Sequence, residues 1–250
     1  MVLRMHRNAI VESKELKRPR RPSRRLPQLF GRGGRDRALI ALAANGPMHV
    51  RELARIIGSD SSKTFLMVEH LIETGIVVKR DLPGYRKLVA LNKNLDWTYY
   101  QLRDLLLALD KKWPAKRTGI HVQPREMWHG AVEQLEPKHL DLIFQSPVRS
   151  RTLLFIAALG MTNMSVMYNA LGIGGVSALY AVNHWEREGV VNSRQDGKNR
   201  WVFLNPKFVV AEPLRRLLMT LVNGSQEYQD LIGTERPRID ALLNKLDMDD

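Results

Sequence analysis

Apolar residues recur three and four positions apart through most of this chain, and short alternating runs interrupt that rhythm twice. RDRALIALAANG (35–46) has the helical spacing and ends at a glycine, which predicts a helix with a defined stop. VRELARIIG (50–58) is a shorter amphipathic helix whose Val50, Leu53, Ile56 and Ile57 form one stripe. PMH, between the two, is long enough for an edge strand only. SDSS offers an N-cap, and a helix is predicted from Ser61 to Thr74, closed by Gly75. IVVKR and YRKLVAL then read as strands around a turn at DLPG. DWTYYQLRDLLLALDKKW (96–113) returns to the helical period.

The same order comes back further along. VRSRTLLFIAALG, SVMYNALG and GGVSALYAVNHWERE predict three helices, VVNSR and RWVFLN two strands around QDGKN, and AEPLRRLLMTLVNG a closing helix. The two series are in register. Gly46 and Gly160, Gly58 and Gly172, His70 and His184, and Gly75 and Gly189 each lie 114 positions apart. Phe30 and Phe144, Arg37 and Arg151, and Leu39 and Leu153 keep that offset. It becomes 113 after the hairpin turn, at Gly84 and Gly197 and at Asn92 and Asn205. A one-residue deletion in a turn is tolerated where one in a helix is not. Shared glycines at turns argue against coincidence, because backbone freedom explains them there. The chain therefore holds two copies of one module.

Each copy reads as helix, short strand, helix, turn, helix and two-stranded wing, a helix-turn-helix with a wing. The fold class expected is mainly α with small β wings, an α+β arrangement of two tandem modules. Residues 1–26 form a basic arm, 27–113 the first module, 114–140 a linker with a short helix, 141–224 the second module and 225–250 a helical tail of one or two short helices. "ELARIIGSDSS…VEHLIETGIV" resembles the winged helix-turn-helix of ArsR/MarR-type bacterial transcriptional regulators. So do the lead-ins "LPQLFGRGGRDRALIALA" and "LDLIFQSPVRSRTLLFIAAL". The likeness covers about two thirds of the chain, in two pieces.

That resemblance implies DNA binding by the third helix of each copy, whose N-terminal residues reach base edges in the major groove. By position these are Ser61, Ser62, Lys63 and Thr64 in the first copy, and Gly175, Ser177, Ala178 and Tyr180 in the second. The wings would grip phosphate through Lys79, Arg80, Arg86 and Lys87, and through Arg194, Lys198 and Arg200. The sequence departs from the family at Leu66 and Met67 and at Tyr180 and Ala181, where Arg or His is common. Phe65, Leu66, Met67, Val68, Leu71 and Ile72 make the 61–74 helix apolar over much of its circumference. A helix of that kind is covered on more than one side, by another element or by a protein partner. Affinity is then expected from phosphate contacts and specificity from DNA shape.

Charge supports an anionic partner. The 250 residues carry a net +13, with a pI near 10.2. Residues 1–37 hold about +9 of it. The run KRPRRPSRRLP, with Arg18, Arg20, Arg21, Arg24 and Arg25, mixes Arg with Pro and cannot be helical. It resembles an AT-hook style of minor-groove arm but lacks the central Arg-Gly-Arg, and it reads as a DNA-tethering arm. There are no cysteines, which excludes disulfides and thiolate metal sites. The seven histidines form no HxH or HxxxH pair, so no metal and no cofactor is expected. No phosphate loop and no catalytic set emerges. The longest apolar run, around Leu153 to Met161, falls short of the roughly 20 residues a membrane span needs, and a cytoplasmic, nucleoid-associated protein is expected.

The leading expectation is a DNA-binding transcriptional regulator that works as an intrachain pseudo-dimer on double-stranded DNA. Helices 96–113 and 212–224 match in position those that relatives use to dimerise, and a homodimer of the whole chain stays open. One rival is a replication initiator or partition-type protein. The other is a winged-helix interaction scaffold with a protein partner at helix 61–74. An enzyme is the least favoured class.

Overall fold

The computed structural model describes residues 26–31, 34–80, 88–116, 143–144 and 146–246. The expected arm with Arg18, Arg20, Arg21, Arg24 and Arg25, the first hairpin turn with Arg86 and Lys87, and the linker helix lie outside the described residues.

The first series runs α1 (Arg35–Asn45), β1 (Met48–His49), α2 (Val50–Ile57), α3 (Ser61–Glu73), β2 (Val77–Arg80), β3 (Leu88–Leu91) and α4 (Asp96–Lys112). The second runs α5 (Pro147–Leu159), β4 (Met161–Asn163), α6 (Met164–Ala170), α7 (Gly175–Arg187), β5 (Val191–Asp196), β6 (Asn199–Leu204) and α8 (Ala211–Asn223). A last helix, α9, spans Gln226–Leu246. The described chain is mostly helical with two small three-stranded antiparallel sheets, ordered β1-β3-β2 and β4-β6-β5. Met48 pairs with Val89 and Met161 with Phe203, so each edge strand ties the first helix of its series to the hairpin.

The local causes repeat with the sequence. Gly75 and Gly189 both sit at positive φ, 70° and 76°, directly after α3 and α7. A side chain in that left-handed conformation costs roughly 1–2 kcal/mol, so glycine is the residue that lets the helix stop and the strand begin there. An asparagine then locks the far end of each hairpin to this stop. Asn92 donates through Nδ2 to the Gly75 carbonyl at 2.9 Å, and Asn205 to the Gly189 carbonyl at 2.8 Å. The backbone N–H groups of the same asparagines bond the Ile76 and Val190 carbonyls at 2.9 and 2.8 Å. These four bonds fix the hairpin's position relative to the helix before it.

Two expectations need adjustment. The second hairpin turn is tighter than QDGKN: Asp196 already pairs with Asn199, leaving Gly197 and Lys198 at the turn, with Gly197 at φ 52°. The tail is one helix of 21 residues, with Pro237 inside it. Proline in a helix interior costs about 3 kcal/mol in isolation. Here α9 packs on α5, α6 and α8, buries Tyr228 and Ile239, and donates a bond from Arg236 Nη2 to the Ala158 carbonyl of α5 at 2.9 Å. Tertiary contacts outweigh the local penalty.

Buried side chains of both series form one continuous core. Residues that correspond in the two series meet each other there. Phe30 stacks on Phe144 with ring centroids 5.7 Å apart, and α4 packs along α8. An offset aromatic pair of this kind adds about 0.5–1.5 kcal/mol to the burial of its area. Gln28 N–H also reaches Glu188 Oε2 at 2.9 Å across the two series.

Candidate nucleic-acid interface

α3 and α7 each follow a short helix and a tight turn, and each lies against its own hairpin. Their burial patterns are identical over eight positions. Residues 61–68 and 175–182 both run three exposed, one buried, two exposed, two buried. The outward stripe is Ser62, Phe65, Leu66 and Glu69 on α3, and Val176, Leu179, Tyr180 and Asn183 on α7. Leu66 and Tyr180 are each 71% exposed.

Several sequence-predicted residues lie on this outer face: Ser61, Ser62 and Lys63 on α3, and Gly175, Ser177 and Tyr180 on α7. Thr64 and Ala178 do not. Both have no exposed surface, because the fourth position of the pattern turns into the core. The Thr64 hydroxyl donates to the Asp60 carbonyl at 2.8 Å, which satisfies it inside the helix. Both are therefore packing residues rather than groove-facing ones. Met67, Val68 and Leu71 are buried, whereas Phe65 and Leu66 are exposed, so no described element covers that side of α3.

The two helices start differently. Asp60 caps α3, its carboxylate accepting from the N–H groups of Ser62 at 2.8 Å and Lys63 at 3.2 Å. α7 begins at Gly174, which offers no side-chain cap.

The hairpins carry cations in two conditions. Arg194 and Lys198 project into solvent. Lys79 and Arg200 are turned back onto the helices. Lys79 Nζ lies 2.9 Å from Glu69 Oε1 and 5.3 Å from the centre of the Phe65 ring. Arg200 Nη2 reaches Glu186 Oε2 at 2.8 Å and Asn183 Oδ1 at 3.0 Å, and its Nε reaches Ser193 Oγ at 3.1 Å. Ser193 in turn donates to Glu186 in a short bond. These two residues were expected to grip phosphate. They instead clasp the hairpin to the third helix, and a carboxylate beside each weakens its field. Arg80 ends β2.

Sequence reasoning missed Val176 and Leu179. Their signal was present: with Tyr180 they make a second apolar set at i, i+3 and i+4, pointing away from the Ala178, Ala181 and Val182 face.

One ionisable group is strongly perturbed at the root of the first series. Asp36 is buried and its Oδ1 accepts from Leu29 N–H at 2.9 Å and Phe30 N–H at 3.1 Å. Burial pushes its carboxyl up to about 7, with Glu188 adding to the rise and the backbone bonds opposing it. At the corresponding position of the second series the Ser150 hydroxyl accepts from Phe144 N–H at 2.9 Å.

Among the described residues no group of three or more acidic or histidine side chains is placed to hold a metal ion, and no single helix is long and apolar enough to cross a membrane. No family model matches the chain, and no curated protein matches it in sequence.

Proposed function

We propose that this chain is a DNA-binding transcriptional regulator in which two winged helix-turn-helix modules form an intrachain pseudo-dimer. The observation that carries the reading is the meeting of like with like. Phe30 lies on Phe144 and α4 on α8, while α3 and α7 keep corresponding positions outward. Contact between equivalent patches is the signature of two-fold packing. A pair of reading helices related in that way addresses two half-sites of one duplex. The net charge of +13 supplies the sequence-independent attraction, and the 1–26 arm adds a tether in this reading. The two halves differ in sequence, so the site they address is asymmetric. No catalytic chemistry, metal or cofactor enters the proposal, and the protein would act on the nucleoid. Use of the same modules at a replication origin remains the rival within DNA binding, marked by clustered repeats of the site.

The exposed Phe65, Leu66, Leu179 and Tyr180 favour a second reading, a scaffold that binds a protein. Fluorescence anisotropy separates the two. The full chain, and a chain lacking residues 1–26, would be titrated with duplex DNA at several salt concentrations. The duplexes are its own upstream region and an unrelated sequence of equal length. A regulator prefers its own region and keeps that preference without the arm. Binding that ignores sequence and collapses with salt or without the arm sinks the proposal.

A further inference from the structure

The outer faces of α3 and α7 are short of the side chains that ordinarily read bases. Residues 61–68 and 175–182 contain no Arg, Asn, Gln, His, Asp or Glu. The forked contacts to guanine and adenine, and acceptance from the cytosine amino group, therefore have no donor or acceptor there apart from Lys63 and the hydroxyls of Ser61, Ser62, Ser177 and Tyr180. Glu69 and Asn183, the next residues of the two outward stripes, are engaged by Lys79 at 2.9 Å and Arg200 at 3.0 Å, and the remaining outward groups are apolar: Phe65 and Leu66 on one helix, and Val176, Leu179 and Tyr180 on the other. In the major groove, thymine alone among the four standard bases presents an apolar group, its C5-methyl.

We propose that the two third helices read thymine methyl groups through Phe65 and Leu66 and through Val176, Leu179 and Tyr180, making the preferred ligand a thymine-bearing duplex with one such cluster in each half-site. This rests on the DNA-binding reading above and specifies it. Charge favours DNA over a protein surface as the occupant. The only charged side chain in the first two turns of either helix is Lys63, a cation. Arg194 and Lys198 stand exposed on the second hairpin, where a duplex carries its phosphates. The matched exposure of Leu66 and Tyr180, 114 positions apart, calls for the same kind of ligand at both helices. A two-fold related pair of grooves on one duplex provides it.

The test uses uracil, which pairs as thymine does and lacks the methyl. Duplexes selected by the full chain from a random pool would be resynthesised with every thymine replaced by uracil. Affinities would be measured for the wild type and for a variant carrying Phe65→Ala, Leu66→Ala, Val176→Ala, Leu179→Ala and Tyr180→Ala together, with circular dichroism confirming its fold. Losing one buried methyl weakens binding roughly fourfold. With contacts in both half-sites, the uracil duplex is expected to bind at least about tenfold more weakly. The variant is expected to bind the two duplexes alike within about twofold. A selected site bound equally well with uracil overturns the thymine reading and leaves the regulator intact. A uracil penalty that survives all five substitutions overturns the assignment to these helices. A selection that enriches no sequence overturns this proposal and the regulator together, and returns the apolar faces to a protein partner.

Discussion

The two third helices share an exposure pattern and differ in how they are held. α3 has a side-chain cap at Asp60, a leucine at 71 in its core and a lysine clasp from its hairpin. α7 has an uncapped glycine start, Trp185 at the position of Leu71, and an arginine clasp with three partners. Trp185 is fully buried, meets Phe144 edge-on at 6.3 Å and donates from its ring nitrogen to the Arg149 carbonyl at 3.2 Å. The second copy thus anchors its third helix mainly by an aromatic core and a wide hydrogen-bond network. The first relies on a cap and smaller side chains. One backbone design is being satisfied by two chemistries, and equivalence of fold does not require equivalence of residues.

Breaking the cores should give the largest effect. Trp185→Ala is expected to cost about 3–5 kcal/mol and Leu71→Ala about 2–5 kcal/mol. Denaturant unfolding reads both. Because the core is continuous across the series, each substitution should shift one shared transition; two separated transitions would show independent units.

The next contrast is Asp36 against Ser150. Burial raises the Asp36 carboxyl from an ordinary 3.8 to about 7. Its neutral form is the one the fold favours. The associated stability is fully present below the ordinary carboxylate value, falls as pH rises from there, and is gone above about 7. The upper bound for that loss is about 4 kcal/mol. Asp36→Asn keeps an oxygen for the Leu29 and Phe30 N–H groups and removes the charge. Melting temperatures measured from pH 5 to 8 should fall for the wild type and stay nearly level for the variant. Parallel curves would show that Asp36 is not the source.

Caps come next. Asp60→Ala should cost about 1 kcal/mol, since two N–H groups of α3 lose their acceptor. Gly174→Asp offers α7 the missing cap. Gly174 has an extended backbone, and nothing lies within 4 Å of an added Cβ, so a side chain is accommodated. A gain of a few tenths of a kcal/mol is expected. The new carboxylate should at the same time weaken duplex binding if α7 enters a groove; unchanged affinity would count against that placement.

The smallest effect belongs to the clasps. Glu69→Gln, breaking the partly exposed pair with Lys79, should cost under about 1 kcal/mol, with salt reducing the difference further. Glu186→Gln, in the more connected Arg200 network, should cost somewhat more. Thermal melts at low and high salt compare the two.

Much of this was legible in the chain. The 114-residue offset gave both series, and the glycines at 75 and 189 marked where helices had to end, because only a residue without Cβ occupies that conformation freely. Helix period and hairpin alternation gave the element order. The exposed character of Ser61, Ser62 and Tyr180 followed from position. Less legible was anything that depended on which face a helix turns inward. Thr64 looked available and is buried. Lys79 and Arg200 looked free and are paired with carboxylates ten and fourteen residues away. Phe65 and Leu66 were expected under a further element or a protein partner, and no described element covers them. The tail read as one or two short helices and is a single long one with Pro237 inside it.

The division has one physical cause. Backbone conformation at a turn, the period of a helix and the net charge are set by residues near one another in the chain, so the sequence alone determined the repeat, the mostly helical character and the positive charge. The rotation of α3 and α7 about their axes, the pairing of Phe30 with Phe144, the upward shift of the Asp36 carboxyl and the continuity of α9 depend on what is brought against each group from far away. Packing of distant elements decided those, because burial, and with it the cost of an unpaired charge or the tolerance of a proline, exists only once the elements are assembled.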